Sequence, residues 1–191
     1  MEAVFSLQYP EYIVAHELSR HLKKADGFSV CIPLSRQQKT FDLLVHDLKA
    51  GSSATIQVKS SRSYVPRSGT SVEPELRYEY LLWFKALVLE GYSADFYAFV
   101  GIYPRPSLVR HGLSRSRSPK KWWSQFVLVL SKAEVKRLMR RIRRNQEHFF
   151  YVSFDSDLER IALTRGTGRT ESWREFLLSE RAGSIREFLA T

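Results

Sequence analysis

The sequence predicts a mixed α/β fold, a central mixed β-sheet flanked by helices, with additional strands and helices toward the C-terminus. Three observations predict it. An amphipathic helix comes first, a succession of period-two segments follows, and a helix opened by a capping box returns late in the chain. At 191 residues, with 43% hydrophobic and 13% aromatic residues, the chain has enough apolar material for the packed core of one ordinary domain.

Tyr9-Pro10-Glu11 opens the first helix, since proline is tolerated in the first turn and an acid favours the positive end of the helix dipole. Val14, Leu18, His21 and Leu22 form one stripe, and Asp26-Gly27 supplies the stop. Residues 28–33, 41–47 and 54–60 alternate apolar with polar and read as three strands. Cys31, the single cysteine, falls in the first of them and reads as a buried strand residue of a protein from a reducing compartment. Residues 61–77, with Pro66, Gly69 and Pro74, read as a loop, and residues 78–90 as a second helix stopped by Gly91.

Residues 95–103 form an apolar aromatic strand, followed by a basic Ser-Arg loop over 105–121 that is expected to be mobile when unbound. Trp122-Trp123 leads into a strand over 125–130. Ser131-Lys132-Ala133-Glu134 is a capping box, and the helix it opens places Val135, Leu138, Met139 and Ile142 on one face. Residues 147–154 read as a late strand, Gly166-Thr167-Gly168 as a turn, Ser172 as the cap of a short helix, and residues 184–187 as a further turn or two. The organisation is a core over 1–103 and an extension over 104–191 that completes the same domain.

The charge is regional. The chain carries a net +10, yet residues 105–144 hold thirteen Lys or Arg against the one acid Glu134, and the remainder is close to neutral. Such a concentration favours a polyanionic partner, with nucleic acid first, over a merely solubilising face. The expected phosphate contacts are Arg115, Arg117, Lys120 and Lys121 in the loop and Lys136, Arg137, Arg140, Arg141 and Arg144 on the late helix, with Trp122 stacking on bases or wedging into a duplex. No apolar run is long enough to span a bilayer, and the N-terminus lacks the pattern of a signal peptide. The expectation is a cytoplasmic or nucleoid-associated protein that is not secreted.

Chemistry concentrates around Asp42 and, fifteen residues later, Gln57-Val58-Lys59. On a strand Gln57 and Lys59 share one face while Ile56 and Val58 take the other. With a turn at residues 49–53 the two segments form a hairpin that brings a carboxylate, an amide oxygen and an ammonium to one end of a sheet. Each residue also has a plain structural reading. Lys59 suits a solvated strand end, Asp42 a turn or strand edge, and Glu17 an ion pair with Arg20 or a contact with His21. Asp47 and Asp95 read as strand-end caps. Gly101-Ile102-Tyr103 reads as core strand, and the five histidines show no metal spacing.

A helix bearing Glu17, a strand bearing Asp42, then Gln57-Val58-Lys59 and a following helix resemble the PD-(D/E)xK nuclease superfamily over roughly residues 9–103. The resemblance implies a restriction-endonuclease-like αβββαβ core and hydrolysis of DNA phosphodiesters by a metal-activated water. The implied catalytic residues are Glu17, Asp42, Gln57 and Lys59. Mg²⁺, with Mn²⁺ as a substitute, would be held by Asp42, Gln57, Glu17 and the Val58 carbonyl, with no small-molecule cofactor. It also implies a homodimer on DNA, with RNA as an open alternative. The chain departs from the pattern twice: Phe41 stands in place of the motif proline, and Gln57 in place of a metal-binding acid. The second change removes a negative charge and leaves room for a nucleic-acid-binding protein that keeps the fold without cleavage.

Overall fold

A computed structural model describes residues 9–33, 40–66, 77–85, 93–104 and 123–191. Among these residues nine strands join in one branching sheet: β1 (Phe28–Cys31), β2 (Leu43–Asp47), β3 (Ser52–Tyr64), β4 (Tyr80–Lys85), β5 (Phe96–Pro104), β6 (Trp123–Ser131), β7 (Phe149–Phe154), β8 (Ile161–Arg165) and β9 (Glu171–Ser172). Three α-helices accompany them among the described residues: α1 (Tyr9–His21), α2 (Lys132–Arg144) and α3 (Leu178–Leu189). None is long and apolar enough to cross a membrane.

The branch point is β3. Its first half pairs antiparallel with β2, from Ser52 opposite Asp47 to Ile56 opposite Leu43. Its middle, Ile56 to Arg62, runs parallel to β5, which in turn pairs antiparallel with β6. Its end, Ser63 and Tyr64, pairs with β4, which leads through β7 and β8 to β9. One arm is therefore β1-β2-β3-β5-β6 and the other β4-β7-β8-β9.

Alternation along each strand explains how the arms pack. Tyr97 and Phe99 of β5 and Phe126, Leu128 and Leu130 of β6 face Tyr80, Leu82 and Phe84 of β4 and Phe150, Val152 and Phe154 of β7. Helix α2 adds Val135, Leu138, Met139 and Ile142 to this core, the four residues its sequence placed on one face. The opposite face of the first arm, with Ile56, Val58, Ala98 and Val129, is covered by Ile13, Val14, Leu18 and Leu22 of the N-terminal segment and by Leu178, Ile185 and Leu189 of α3. Gly101 permits close approach of the arms, since a Cβ there would lie 2.5 Å from the Phe126 ring and 3.0 Å from Leu82.

Several expectations hold. The Ser131 side chain caps α2 in a reciprocal capping box with Glu134. Asp47 accepts from the backbone of Lys49 and Ala50, and Asp95 accepts from the amide and hydroxyl of Thr55, so both cap strand ends. Gly166 and Gly168, at φ of 111° and 71°, turn the chain between β8 and β9. The stop expected at Asp26-Gly27 is corrected: α1 ends earlier, at His21, and Gly27, at φ 101°, terminates the separate 3₁₀ turn Lys24–Asp26 that follows it.

Other expectations are corrected. The helix predicted over 78–90 is strand β4 where it is described, because Tyr80, Leu82 and Phe84 point inward and Leu81, Trp83 and Lys85 do not, a period of two rather than 3.6; residues 86–92 lie outside the described set. The expected loop from residue 61 begins four residues later, since β3 continues through Ser61, Arg62, Ser63 and Tyr64. Hydrogen bonds hold this polar strand: Trp83 N donates to Ser61 Oγ, and Ser63 Oγ donates to the Ile102 carbonyl. Cys31 is in a strand but exposed, at the end of β1, which among the described residues is an edge strand paired with β2. Ser172 belongs to β9 and is followed by a single 3₁₀ turn, Arg174–Phe176, and the C-terminal residues form one helix rather than two pieces.

Candidate functional site

Asp42 sits one residue ahead of β2. Its backbone N–H continues the ladder by donating to Ile56 O at 2.9 Å, and its carboxylate Oδ2 accepts from the Val58 amide at 2.6 Å. The carboxylate thus caps the edge of β3 where β2 ends. Gln57 and Lys59 lie opposite Tyr97 and Phe99 of β5 and share their face, the one turned toward the β4 arm. Both are half-buried.

Lys59 is close enough to Asp42 to feel its charge. Burial pulls its ammonium below the ordinary value of 10.5, and the Asp42 carboxylate offsets part of that shift. The folded chain therefore binds this proton less tightly than the unfolded chain. Below the folded pKa the buried cation opposes folding, and stability rises with pH from that pKa toward 10.5. Lys59→Met is expected to raise the melting temperature at pH 7, with the advantage shrinking as the pH approaches 10.5. Thermal unfolding at several pH values checks this, and a lower melting temperature at pH 7 would contradict it.

Beyond Lys59 the strands splay. β3 has lost β2 and does not pair with β4 until Ser63, and a cleft of about 350 Å³ opens between them. Lys59, Ser61, Arg62, Trp83, Lys85 and Phe99 are among its walls. A second cleft, of about 580 Å³, lies beside the same polar stretch of β3 and reaches Trp123, which is 57% exposed. The sequence offered little signal for Ser61, Trp83 and Lys85, because they lie in segments read as loop and helix. The inward alternation of Tyr80, Leu82 and Phe84 was the available clue.

Glu17 is not brought into this group. It lies on α1, which packs on the face presented by Ile56 and Val58, the reverse of the face that carries Gln57 and Lys59. Its carboxylate accepts from Arg20 at 3.0 Å, the i,i+3 pair of its plain structural reading. Among the described residues no three His, Cys, Asp or Glu side chains gather as a metal site. The remaining donors are the Asp42 carboxylate, the Gln57 amide oxygen and the Val58 carbonyl. They are hard oxygen ligands of the kind Mg²⁺ takes, and one carboxylate completed by water and substrate phosphate is within its habit. The set fits in kind and carries a single negative charge.

The basic residues divide. Lys136, Arg137, Arg140 and Arg144 are exposed on α2, whereas Arg141 is half-buried and bonded through both terminal nitrogens to Glu171, at 2.8 Å for Nη1. That pairing raises the Arg141 pKa and holds the Glu171 carboxyl below the usual carboxylate range. Arg141 is thereby tied to the fold rather than left for phosphate, a role its position on the helix did not disclose. Arg115, Arg117, Lys120, Lys121 and Trp122 lie outside the described residues.

The chain matches no protein-family model, and comparisons with curated proteins and with solved structures return no match.

Proposed function

We propose that this chain is a divalent-metal-dependent endonuclease of the restriction-endonuclease-like type, hydrolysing phosphodiester bonds in DNA. The observation that carries the reading is Lys59, half-buried and within electrostatic reach of the Asp42 carboxylate, at the edge of β3 where the strands part, beside a cleft walled by Lys85 and Arg62. Supporting it, α1 precedes a β1-β2-β3 meander, and β5 lies parallel to β3, as the αβββαβ order requires of its last strand. The described part of the β3–β5 connection contributes β4, and residues 86–92 lie outside the described set.

In this reading Asp42, Gln57 and the Val58 carbonyl would hold Mg²⁺, and the ion would supply Lewis-acid chemistry at the phosphate and its water. The chain's own groups do the rest. The Val58 amide fixes the Asp42 carboxylate through their hydrogen bond. Lys59, half-desolvated, presents its charge to the phosphate oxygens as negative charge builds in the transition state. Lys85 and Arg62 draw the backbone into the cleft. Two copies acting on the two strands of a duplex form part of the proposal.

A second reading, nucleic-acid binding without cleavage, is favoured by the single negative charge at the site, with Gln57 neutral and Glu17 paired to Arg20. Incubating the protein with plasmid, junction and single-stranded DNA in Mg²⁺, Mn²⁺ or EDTA separates the two. The nuclease reading expects cleavage that EDTA stops and that Lys59→Met reduces by about 10²-fold or more. DNA binding with no cleavage of any of these substrates would leave the second reading.

A further inference from the structure

The outer face of the second arm carries a row of aromatic rings and cations that the core does not use. Because Tyr80, Leu82 and Phe84 of β4 and Phe150, Val152 and Phe154 of β7 point into the core, Trp83, Lys85, Phe149 and Tyr151 take the opposite face. The register sets Trp83 beside Tyr151 and Lys85 beside Phe149. The irregularity between Tyr151 and Val152 brings Arg165 of β8 opposite Tyr151. The rings form a chain, with Trp83 and Phe149 centred 6.1 Å apart and Phe149 and Tyr151 stacked at 5.5 Å with their planes 20° apart. The Arg165 guanidinium lies 4.9 Å from the Phe149 ring and 5.3 Å from that of Tyr151, and the Lys85 ammonium lies 5.7 Å from Trp83. All three rings remain partly open to solvent, and Lys85 is exposed.

We infer that this face is a stacking platform for a single-stranded stretch of nucleic acid. Every base has a π-face that a ring can meet, and the flanking cations answer the phosphates. A base inside a duplex is already stacked on its neighbours and cannot present its face to a flat sheet, so the occupant is unpaired. Trp83 and Lys85 belong both to this platform and to the cleft that holds Lys59. A strand lying on the rings therefore runs into the cleft. The inference rests on the nucleic-acid reading of that cleft for its direction, and it names the substrate class as DNA with an unpaired segment: a flap, a junction arm or a free single strand.

The test is fluorescence anisotropy in EDTA at fixed salt, with a labelled oligothymidylate of about twelve nucleotides, within the usual range of single-strand site sizes, against a duplex of equal length. The parent protein is expected to bind the single strand more tightly than the duplex. Tyr151→Ala and Trp83→Ala are each expected to weaken single-strand binding by about 5- to 150-fold, the cost of one lost base stack, and Tyr151→Ala, which lies outside the cleft, to leave duplex binding within about twofold. Arg165→Gln, which alters no apolar packing of the core, is expected to weaken single-strand binding as well. It keeps the test valid should an aromatic variant fail to fold by circular dichroism. Equal affinity for single strand and duplex, or unchanged single-strand affinity in folded Tyr151→Ala and Arg165→Gln, overturns the platform. Since the assay contains no metal, tight single-strand binding alongside absent cleavage in Mg²⁺ would sink the nuclease reading and leave the platform standing.

Discussion

Phe154→Ala is expected to cost about 3–5 kcal/mol of folding stability, which for a domain of this size lowers the melting temperature by about 6–20 °C. Phe154 is fully buried and its ring touches rings from three other strands: Tyr80 at 5.5 Å, Tyr103 at 5.1 Å and Phe126 at 4.7 Å. Those contacts join the β4–β7 arm to the β5–β6 face, so truncation leaves a cavity at the joint between the arms, where neither sheet can collapse without moving the other. Because the cleft at Lys59 lies between the same arms, the variant is expected to lose single-strand and duplex binding together as it unfolds. A surface ring such as Trp123, 57% exposed, serves as the control, and its removal is expected to leave the melting temperature within about 2 °C. Thermal and urea unfolding measure both.

Gln57→Glu is the complementary change and should increase function. In the proposed site, a carboxylate at residue 57 would give a divalent ion a second negative charge besides that of Asp42 and would also draw on Lys59, which shares that face of β3. Mn²⁺ affinity, followed by calorimetry, is expected to rise by about tenfold or more, equivalent to about 1.4 kcal/mol. Cleavage should then saturate at correspondingly lower metal concentration. The same substitution should raise the Lys59 pKa, since a nearby anion favours the ammonium. Unchanged Mn²⁺ affinity would mean that residue 57 takes no part in holding an ion.

The parts of this fold legible in the sequence are those where one face is buried and the other wet. Helix α2 shows this best: its apolar residues, its capping box and its boundary all follow from residues 131–142. The α1 stripe and the β2–β3 hairpin were legible for the same reason. Legibility failed where tertiary pairing overrides local pattern. The second half of β3, Ser-Ser-Arg-Ser, has no apolar alternation and is a strand because β5 on one side and β4 at its end supply its partners. β4 was mistaken for a helix because its six residues, Tyr-Leu-Leu-Trp-Phe-Lys, are apolar enough on both faces to satisfy either period. Of the candidate site, the shared face of Gln57 and Lys59 followed from strand parity, whereas Glu17 lies on the reverse side because which face of a sheet a helix covers is set by packing. The half-burial of Lys59, which gives it its perturbed proton affinity, depends on the splaying of β3 from β4 and had no local signature.

The claim at the centre of this account is that Asp42 serves chemistry at the open edge of β3. Asp42→Asn isolates it, because the asparagine oxygen can still accept the Val58 amide hydrogen bond while the negative charge is gone. The most direct measurement is cleavage of a branched DNA substrate in Mg²⁺ by equal amounts of the parent protein and Asp42→Asn, each shown to be folded and to bind the DNA in EDTA. The account predicts cleavage by the parent and a loss of about 10²-fold or more in the variant with binding retained. Cleavage at the parental rate by Asp42→Asn would contradict it.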